Sequence, residues 1–262
     1  MATIKVADNL VHYEQVGNGP SLVLLPTLLA EMSVYDLVIE ELAAERQVTR
    51  FNFPGFGEST GPIGQTIDDY ANLMIGAMDE LAISSDTDLL ANGFGGFVAG
   101  TMAIKYGDRF KKLVLVDTGP GFPEPAKEPV RILARKSVSE GMSSVLDAAI
   151  LRMFPENFVA ENREIVEQRK SKLAETEPNL FANAALSLVK LDNRPHLADI
   201  NNETLIVVGL ADATTPPDLS YELNQGIKGS QLIELDGVGH CPQLQDPDQF
   251  LHAVKPFLGY SV

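Results

Sequence analysis

Two side chains suited to acid–base chemistry follow short apolar segments in the C-terminal part of the chain. His240 comes after residues 231–235, and Asp212 comes after residues 204–208. A carboxylate bonded to one ring nitrogen of a histidine fixes the tautomer and raises the basicity of the other nitrogen. The pair therefore predicts a general base. The alternatives are a surface histidine and a turn aspartate bonded to its own backbone. Asp117, which follows another apolar segment, is a rival partner for His240.

A glycine occupies the position at which a nucleophile is expected. The sequence N-G-F-G-G at residues 92–96 lies between the apolar segment 88–91 and a predicted helix from Phe97 to about Tyr106. Such a strand–turn–helix pattern is typical of the nucleophile elbow, G-x-S-x-G, which lifts a serine above a sheet. Gly93 leaves that position without a side chain. Because glycine adopts strained turns at little steric cost, we expect a stable scaffold. We favour a natural glycine over a serine replaced in order to trap a ligand.

Strand patterns alternate with helical patterns along most of the chain. A β-hairpin that leads into a buried strand is predicted near the N-terminus. The prediction rests on the alternating segment 10–15, the turn signal at 17–20 and the apolar run 21–25. Further strands are predicted at residues 47–52, 113–116, 204–208 and 231–235, and helices at residues 35–44, 67–81 and 246–258. This alternation predicts an α/β fold with a mostly parallel sheet that helices cover on both faces.

One long segment, residues 129–201, carries only helical periodicity. Helices are predicted there at residues 130–139, 143–154, 162–175 and 179–191. A helical insertion between two strands of a parallel sheet is expected to cover the carboxyl ends of the strands, where ligands bind. We therefore predict a core of residues 1–122 and 202–262, with an inserted helical cap, or lid, of residues 123–201.

The order of these motifs resembles that of the α/β-hydrolase superfamily over nearly the whole chain. Three motifs follow the superfamily's order of nucleophile, acid and histidine. They are the elbow, G-L-A-D ending at Asp212, and G-H ending at His240. In addition, F-P-G-F-G-E-S at residues 53–59 is similar to the D-x-P-G-x-G-x-S loop of the superfamily. The resemblance implies an α/β-hydrolase fold.

Within that superfamily, two kinds of lactonase are similar to this chain. R-M-F at residues 152–154 resembles the R-W-F of 3-oxoadipate enol-lactonases, and I-K-G-S-Q-L at residues 227–232 resembles their I-P-G-A-x-L. The segment from residue 12 to residue 26 is also similar to the opening of zearalenone-type lactonases. The resemblance implies activity on a lactone or a related ester.

The same resemblance implies an oxyanion hole made by the backbone N–H groups of Leu28 and Phe94. Three positions depart from the superfamily pattern. Gly93 replaces the nucleophile, Pro-Thr at residues 26–27 replaces the usual His-Gly, and Asn52 replaces the aspartate that usually opens the D-x-P-G loop. The fold inference survives these departures, but serine-esterase chemistry can no longer be assumed.

Several side chains are candidates for a substrate pocket under the cap. Its apolar lining is predicted from Phe94, Phe122, Met142, Met153, Phe154 and Leu191. Among the cap arginines 131, 135 and 152, we select Arg152 as the candidate that would bind an acidic substrate group. The predicted substrate contacts are Arg152, Phe122, Phe154 and Met153.

Composition excludes several classes of partner. The net charge of −16 disfavours nucleic acid, since an acidic surface repels phosphate. No apolar run approaches the roughly 18 residues of a membrane helix, and the first residues lack a secretory signal pattern. A single cysteine, Cys241, fits a cytoplasmic location. No spacing typical of metal ligands is present, so we expect no metal or cofactor. We expect a monomer or a homodimer.

These patterns predict an enzyme in which His240 and Asp212 act as a general base on water. The expected reaction is hydrolysis of a small, largely apolar lactone, enol-lactone or ester. One alternative is direct proton abstraction, as in an isomerase, a C–C-cleaving enzyme or a cofactor-free oxygenase. Another is a non-catalytic small-molecule binder or receptor, which would need neither His240 nor Asp212. Because the histidine, the acid and the oxyanion donors are expected to be in place already, the Gly93→Ser substitution should create or raise esterase activity.

Overall fold

The central sheet has eight strands in the order β1-β2-β4-β3-β5-β6-β7-β8. A computed structural model describes residues 2–261. β1 and β2 are antiparallel to their neighbours, and the strands from β4 to β8 in this order are parallel to one another. The strands are β1 (Ala2–Val6), β2 (Asn9–Val16), β3 (Ser21–Leu25), β4 (Gln47–Phe51), β5 (Thr87–Asn92), β6 (Lys112–Val116), β7 (Glu203–Gly209) and β8 (Gln231–Leu235). The predicted α/β-hydrolase architecture is confirmed.

The N-terminal hairpin differs from the prediction in its partner strand. β2 pairs with β1 through the tight turn at residues 7–8, and its other edge pairs with β4. β3 lies two strands away, between β4 and β5. The apolar run of β3 explains this placement, because a strand buried on both faces belongs in the parallel centre of the sheet.

Eleven α-helices are described within residues 2–261. They are α1 (Ile39–Ala43), α2 (Ile67–Glu80), α3 (Phe94–Tyr106), α4 (Glu124–Glu140), α5 (Leu146–Met153), α6 (Glu156–Glu161), α7 (Arg163–Ala174), α8 (Pro178–Lys190), α9 (Pro217–Gly226), α10 (Pro242–Gln245) and α11 (Pro247–Leu258). The helix predicted at residues 35–44 is instead a 3-10 turn followed by the short α1, and α9 was not predicted. None of these helices has both the length and the apolar character needed to cross a bilayer.

The turn between β5 and α3 brings α3 very close to the sheet. Gly95 makes this approach possible, since a Cβ atom there would lie 2.5 Å from the carbonyl oxygen of Leu25 on β3. α3 begins at Phe94, three residues earlier than predicted, directly after Gly93. The first backbone N–H groups of the helix therefore lie at the carboxyl end of the sheet, where they have no partners within the helix.

The cap contains helices α4 to α8 and no strand between β6 and β7, as the periodicity predicted. It rests on loops that follow strands of the sheet. The Glu177 N–H donates to the Gly55 carbonyl at 3.1 Å, Arg169 Nη1 donates to Ser33 Oγ at 2.8 Å, and the His240 N–H donates to the Met153 carbonyl at 2.9 Å. The cap thus lies over the carboxyl end of the sheet. The exact limits of cap and core stay predictions.

Candidate active site

His240 and Asp212 form a buried hydrogen-bonded pair. His240 Nδ1 lies 2.8 Å from Asp212 Oδ2, and the two residues are 1% and 5% exposed. Their loops follow β8 and β7, which are neighbouring parallel strands, so both side chains reach the same edge of the sheet. The predicted bond between them is confirmed. A carboxylate at Nδ1 favours the tautomer in which Nδ1 carries the proton and Nε2 can accept one.

Asp212 is fixed by its own turn as well as by the histidine. Its Oδ1 accepts hydrogen bonds from the backbone N–H groups of Thr214 and Thr215 at 2.7 and 3.1 Å. Its Oδ2 accepts from Thr215 Oγ1 at 2.7 Å. The aspartate therefore fills both roles that its sequence context allowed, as a turn residue and as the partner of His240. These four hydrogen bonds hold the carboxylate in one orientation.

Asp117, the rival partner, does not contact the ring of His240. Its Oδ1 accepts from the Gly209 N–H at 2.7 Å, and its Oδ2 is buried with no partner among residues 2–261. Burial raises the pKa of Asp117 well above its ordinary value, the Asp212 charge adds to the rise, and the Gly209 bond opposes it. Asp117 also has a positive φ of 45°, which is uncommon outside glycine. It fixes the ends of β6 and β7 rather than the histidine.

Gly93 has the backbone geometry of a nucleophile elbow, with φ 54° and ψ −116°. A side chain there would be strained. It would also collide with its surroundings, because a Cβ atom would lie 2.6 Å from His240 Nε2 and 2.8 Å from Thr27 Cβ, with Thr27 Oγ1 closer still. A side chain at position 93 would therefore compete with Thr27 for the same space. The Thr27 side chain lies close to Gly93, and its Oγ1 lies 2.9 Å from His240 Nε2.

Leu28 and Phe94, the residues predicted to form an oxyanion hole, are chain neighbours of Thr27 and Gly93. Leu28 follows Thr27 in the chain, and Phe94 follows Gly93. Both line the same cavity as His240. Within residues 2–261 neither backbone N–H donates a hydrogen bond to another group of the chain. Two backbone N–H groups without a partner in residues 2–261 thus belong to residues that line the same cavity as His240 and Thr27.

A narrow cavity of about 40 Å³ opens above Gly93. We call it the Gly93 cavity; it is lined by Thr27, Leu28, Leu29, Gly93, Phe94, Phe97, Phe122, Val130, Leu133, Arg152, Leu188, Thr214, Thr215 and His240. Its walls are mostly apolar and come from both the core and the cap. A volume of this size holds only a few water molecules.

Arg152 is the cationic side chain of the Gly93 cavity. No carboxylate of residues 2–261 forms a salt bridge with it. Burial lowers the pKa of its guanidinium from the ordinary value, and the nearby Asp212 charge opposes that change. Arg131 and Arg135, which were the other two candidates, instead form salt bridges with Glu124 and Glu128 on α4.

Some of the predicted pocket residues lie elsewhere. Phe94, Phe122 and Arg152 line the Gly93 cavity as predicted, whereas Phe154, Met153, Met142 and Leu191 do not. Phe154 stacks on Phe158 inside the cap, with ring centroids 4.8 Å apart. The side chain of Met153 is buried, and its carbonyl accepts the His240 N–H. Phe154 and Met153 therefore lie outside the Gly93 cavity, and a substrate contact with either residue stays a prediction.

Comparisons with known proteins agree with this geometry. The sequence profile for the α/β hydrolase fold matches residues 20–247. The chain belongs to the α/β-hydrolase family. It is 25% identical over 256 residues to 3-oxoadipate enol-lactonase 2 of Acinetobacter baylyi, covering 97% of this chain and 94% of that one. It is 28% identical over 259 residues to a pimeloyl-[acyl-carrier protein] methyl ester esterase of Aeromonas salmonicida, covering 95% and 99%.

The solved structure of an enol-lactonase from Burkholderia xenovorans LB400 superposes with a TM-score of 0.91 at 25% identity, covering 98% of this chain and 99% of that one. The relatives are hydrolases by name, and this α/β-hydrolase chain is a hydrolase as well. Among residues 2–261 no group of three or more His, Cys, Asp and Glu side chains is placed to hold a metal ion.

Thr27 is the site residue of this α/β-hydrolase that the sequence interpretation missed. The signal that could have found it was already visible, because Thr27 stands at one of the three departures from the superfamily pattern. Thr215, which bonds Asp212, was also missed. Cys241, next to His240, is fully buried, and that burial raises the pKa of its thiol well above the ordinary value. Its thiol is therefore shielded from solvent.

Proposed function

We propose that this α/β-hydrolase cleaves a small, largely apolar lactone, enol-lactone or ester, with His240 as the general base and Asp212 as its orienting acid. The observation that supports the proposal is the buried His240–Asp212 bond of 2.8 Å at the floor of the Gly93 cavity. With Nδ1 bound to Asp212, Nε2 is the ring nitrogen that accepts a proton from a hydroxyl group or a water molecule.

The two free backbone donors complete the proposed chemistry. Attack on an ester carbonyl moves negative charge onto the carbonyl oxygen, and fixed N–H groups stabilise that charge more than they stabilise the neutral substrate. Leu28 and Phe94 line the same cavity as His240, which supports the proposal that one carbonyl group meets both the base and the two donors. Removal of one such donor in other acyl-transfer enzymes costs about 10²–10³-fold in turnover.

The lining of the Gly93 cavity limits the substrate. Side chains such as Phe97, Phe122 and Leu133 contact apolar groups, and Arg152 offers a cation without a protein partner. A small substrate with an apolar body and a carboxylate at the Arg152 end fits this arrangement. The cavity is narrow, which favours a small substrate over a large one.

The experiment compares turnover of two lactones, one with a free carboxylate and one without. We expect His240→Ala to lower kcat by about 10²–10⁴-fold on both, because the general base is lost. His252→Ala removes an exposed histidine on α11 and serves as the matched control with unchanged turnover. Arg152→Met should raise KM by about 10- to 100-fold for the carboxylate-bearing lactone alone.

Two results would reject the proposal. Turnover that survives His240→Ala would remove the base mechanism. Ligand binding without turnover of any lactone or ester, together with affinity that does not depend on His240, would identify a binder instead.

A further inference from the structure

Thr27 holds its hydroxyl group where the base of this site can take its proton. Oγ1 lies 2.9 Å from His240 Nε2, on the ring nitrogen opposite the Asp212 contact. The residue is 1% exposed and lines the Gly93 cavity. The three side chains form one chain of hydrogen bonds, from Thr27 through His240 to Asp212.

The same hydroxyl occupies the space that an elbow side chain would need. A Cβ atom on Gly93 would lie 2.8 Å from Thr27 Cβ and closer still to Thr27 Oγ1. Thr27 therefore delivers a hydroxyl group from the loop after β3 to the point above the turn between β5 and α3. The glycine at 93 is what makes room for it.

The other hydroxyl groups near His240 form hydrogen bonds with other groups and do not lie at Nε2. Thr215 Oγ1 lies on the Nδ1 side of the ring at 3.3 Å and bonds the Asp117 carbonyl and Asp212 Oδ2. Thr214 Oγ1 donates to the Arg152 carbonyl. Among the described residues, only Thr27 places a hydroxyl group at Nε2.

We propose that Thr27 is the nucleophile of this enzyme and forms a covalent acyl-threonine intermediate. The proposal rests on the proposed function, since it needs His240 as the base and an ester or lactone as the substrate. A side-chain hydroxyl next to a histidine that a carboxylate orients is the general arrangement of an activated nucleophile.

The reaction has two balanced halves. As Oγ1 bonds to the carbonyl carbon, His240 Nε2 takes the Oγ1 proton, and the oxyanion is held by the Leu28 and Phe94 N–H groups. The bond to the leaving oxygen then breaks, and that oxygen takes the proton from Nε2; in a lactone it stays attached to the acyl group. Water next loses a proton to Nε2 and attacks the acyl carbon. The bond to Oγ1 breaks, and Oγ1 regains the proton from Nε2 as the carboxylic acid leaves.

The test uses a fluorophosphonate, whose phosphorus reacts with activated hydroxyl groups by loss of fluoride, followed by peptide mapping. We expect one stable adduct per chain on Thr27 in the native protein, and an adduct at the same position in Thr27→Ser. Thr27→Val keeps the side-chain shape without the hydroxyl group. It should take no label and lose about 10³-fold or more in turnover. Thr49→Val removes a buried threonine hydroxyl on β4, outside the cavity, and should behave as the native protein does.

The proposal is overturned if the native protein takes no label at Thr27, or if Thr27→Val keeps its turnover. Thermal unfolding of each variant separates a lost nucleophile from a lost fold. The two proposals fail in different ways. If His240→Ala abolishes turnover while Thr27→Val does not, the base mechanism stands with water as the nucleophile. If His240→Ala is fully active, the proposed function itself is wrong.

Discussion

Gly93 and Thr27 depend on each other, because a side chain at position 93 needs the space that the Thr27 hydroxyl occupies. Gly93 also has a φ of 54°, a conformation that residues with a Cβ atom rarely adopt. These two departures from the superfamily pattern are more than sixty positions apart in the chain. In the folded protein they meet, because both concern the same small space above the turn at position 93. Gain of the threonine and loss of the elbow side chain are sterically coupled.

This coupling revises the expectation for Gly93→Ser. The single substitution should lower the free energy of unfolding by about 1–3 kcal/mol from backbone strain, with a similar cost from overpacking. It should also lower turnover, because the new side chain displaces Thr27 and His240. The double variant Thr27→Gly with Gly93→Ser frees the space and should recover more than about tenfold of the lost turnover. Urea unfolding and steady-state rates on an activated ester measure both effects.

Gly141→Ala is the matched control for the strain. Gly141 also has a positive φ, 83°, but a Cβ atom there has no neighbour within 4 Å. The Gly141→Ala variant should therefore be less stable than the native protein and keep the native turnover. A Gly93→Ser single variant that is as stable as the native protein and more active would contradict the coupling.

At the scale of elements, the contact between the cap and the loop after β4 involves no catalytic group. α8 packs against the loop after β4, where Gly55 has a φ of 94° and a Cβ atom would lie 2.6 Å from Leu180 Cβ. The Gly55 carbonyl also accepts the Glu177 N–H just before α8. The glycine therefore lets the cap approach the core closely.

The Gly55→Ala substitution should weaken the contact between the cap and the core. We expect a loss in the free energy of unfolding of about 1–2 kcal/mol from the positive φ and a further loss of about 1–3 kcal/mol from the contact with Leu180. Gly229→Ala, at a φ of 78° with no neighbour within 4 Å, should show only the first loss. Urea unfolding measures both, and limited proteolysis should cut the cap of Gly55→Ala faster. Equal losses in the two variants would show that the contact has no energetic weight.

At the scale of the whole molecule, one buried carboxyl links stability to pH. The chain has a net charge of −16, and Asp117 lies in its interior beside Asp212. Burial and the neighbouring charge raise the pKa of Asp117 well above its ordinary value. Between that ordinary value and the raised one, the unfolded chain releases the proton while the folded chain keeps it. Asp117 therefore lowers the free energy of unfolding progressively as pH rises through this window.

Asp117→Asn should remove this dependence. The amide oxygen that the substitution introduces can still accept the Gly209 N–H, so the loop contact survives in the variant. The free energy of unfolding of the variant, relative to that of the native protein, should increase as pH rises from about 4 to about 8. Urea unfolding across this range checks the trend, with Asp8→Asn at an exposed turn as the control. A difference that stays constant or falls with pH would show that Asp117 is ionised in the folded protein.

The sequence by itself determined what depends on neighbours along the chain. Apolar runs predicted seven of the strands, because burial of a strand or of a helix face leaves a local period in the sequence. The turn at Gly93 was visible as a local pattern, and the order of Gly93, Asp212 and His240 was what the resemblance to the superfamily implied. The N-terminal pairing was not, since β1 lies opposite β2 while β3 joins the centre of the sheet.

Tertiary structure alone decided which side chains meet. Asp117 and Asp212 both follow parallel strands. The packing of their loops decides that Asp212, and not Asp117, forms the hydrogen bond with His240. Thr27 and His240 are 213 positions apart, and no local pattern reports a hydrogen bond between them. The lining of the Gly93 cavity likewise depends on how the cap packs on the core. That packing buries Phe154 and Met153 outside the cavity. Local periodicity fixes the elements, whereas contacts between distant loops arise only when the whole chain is folded.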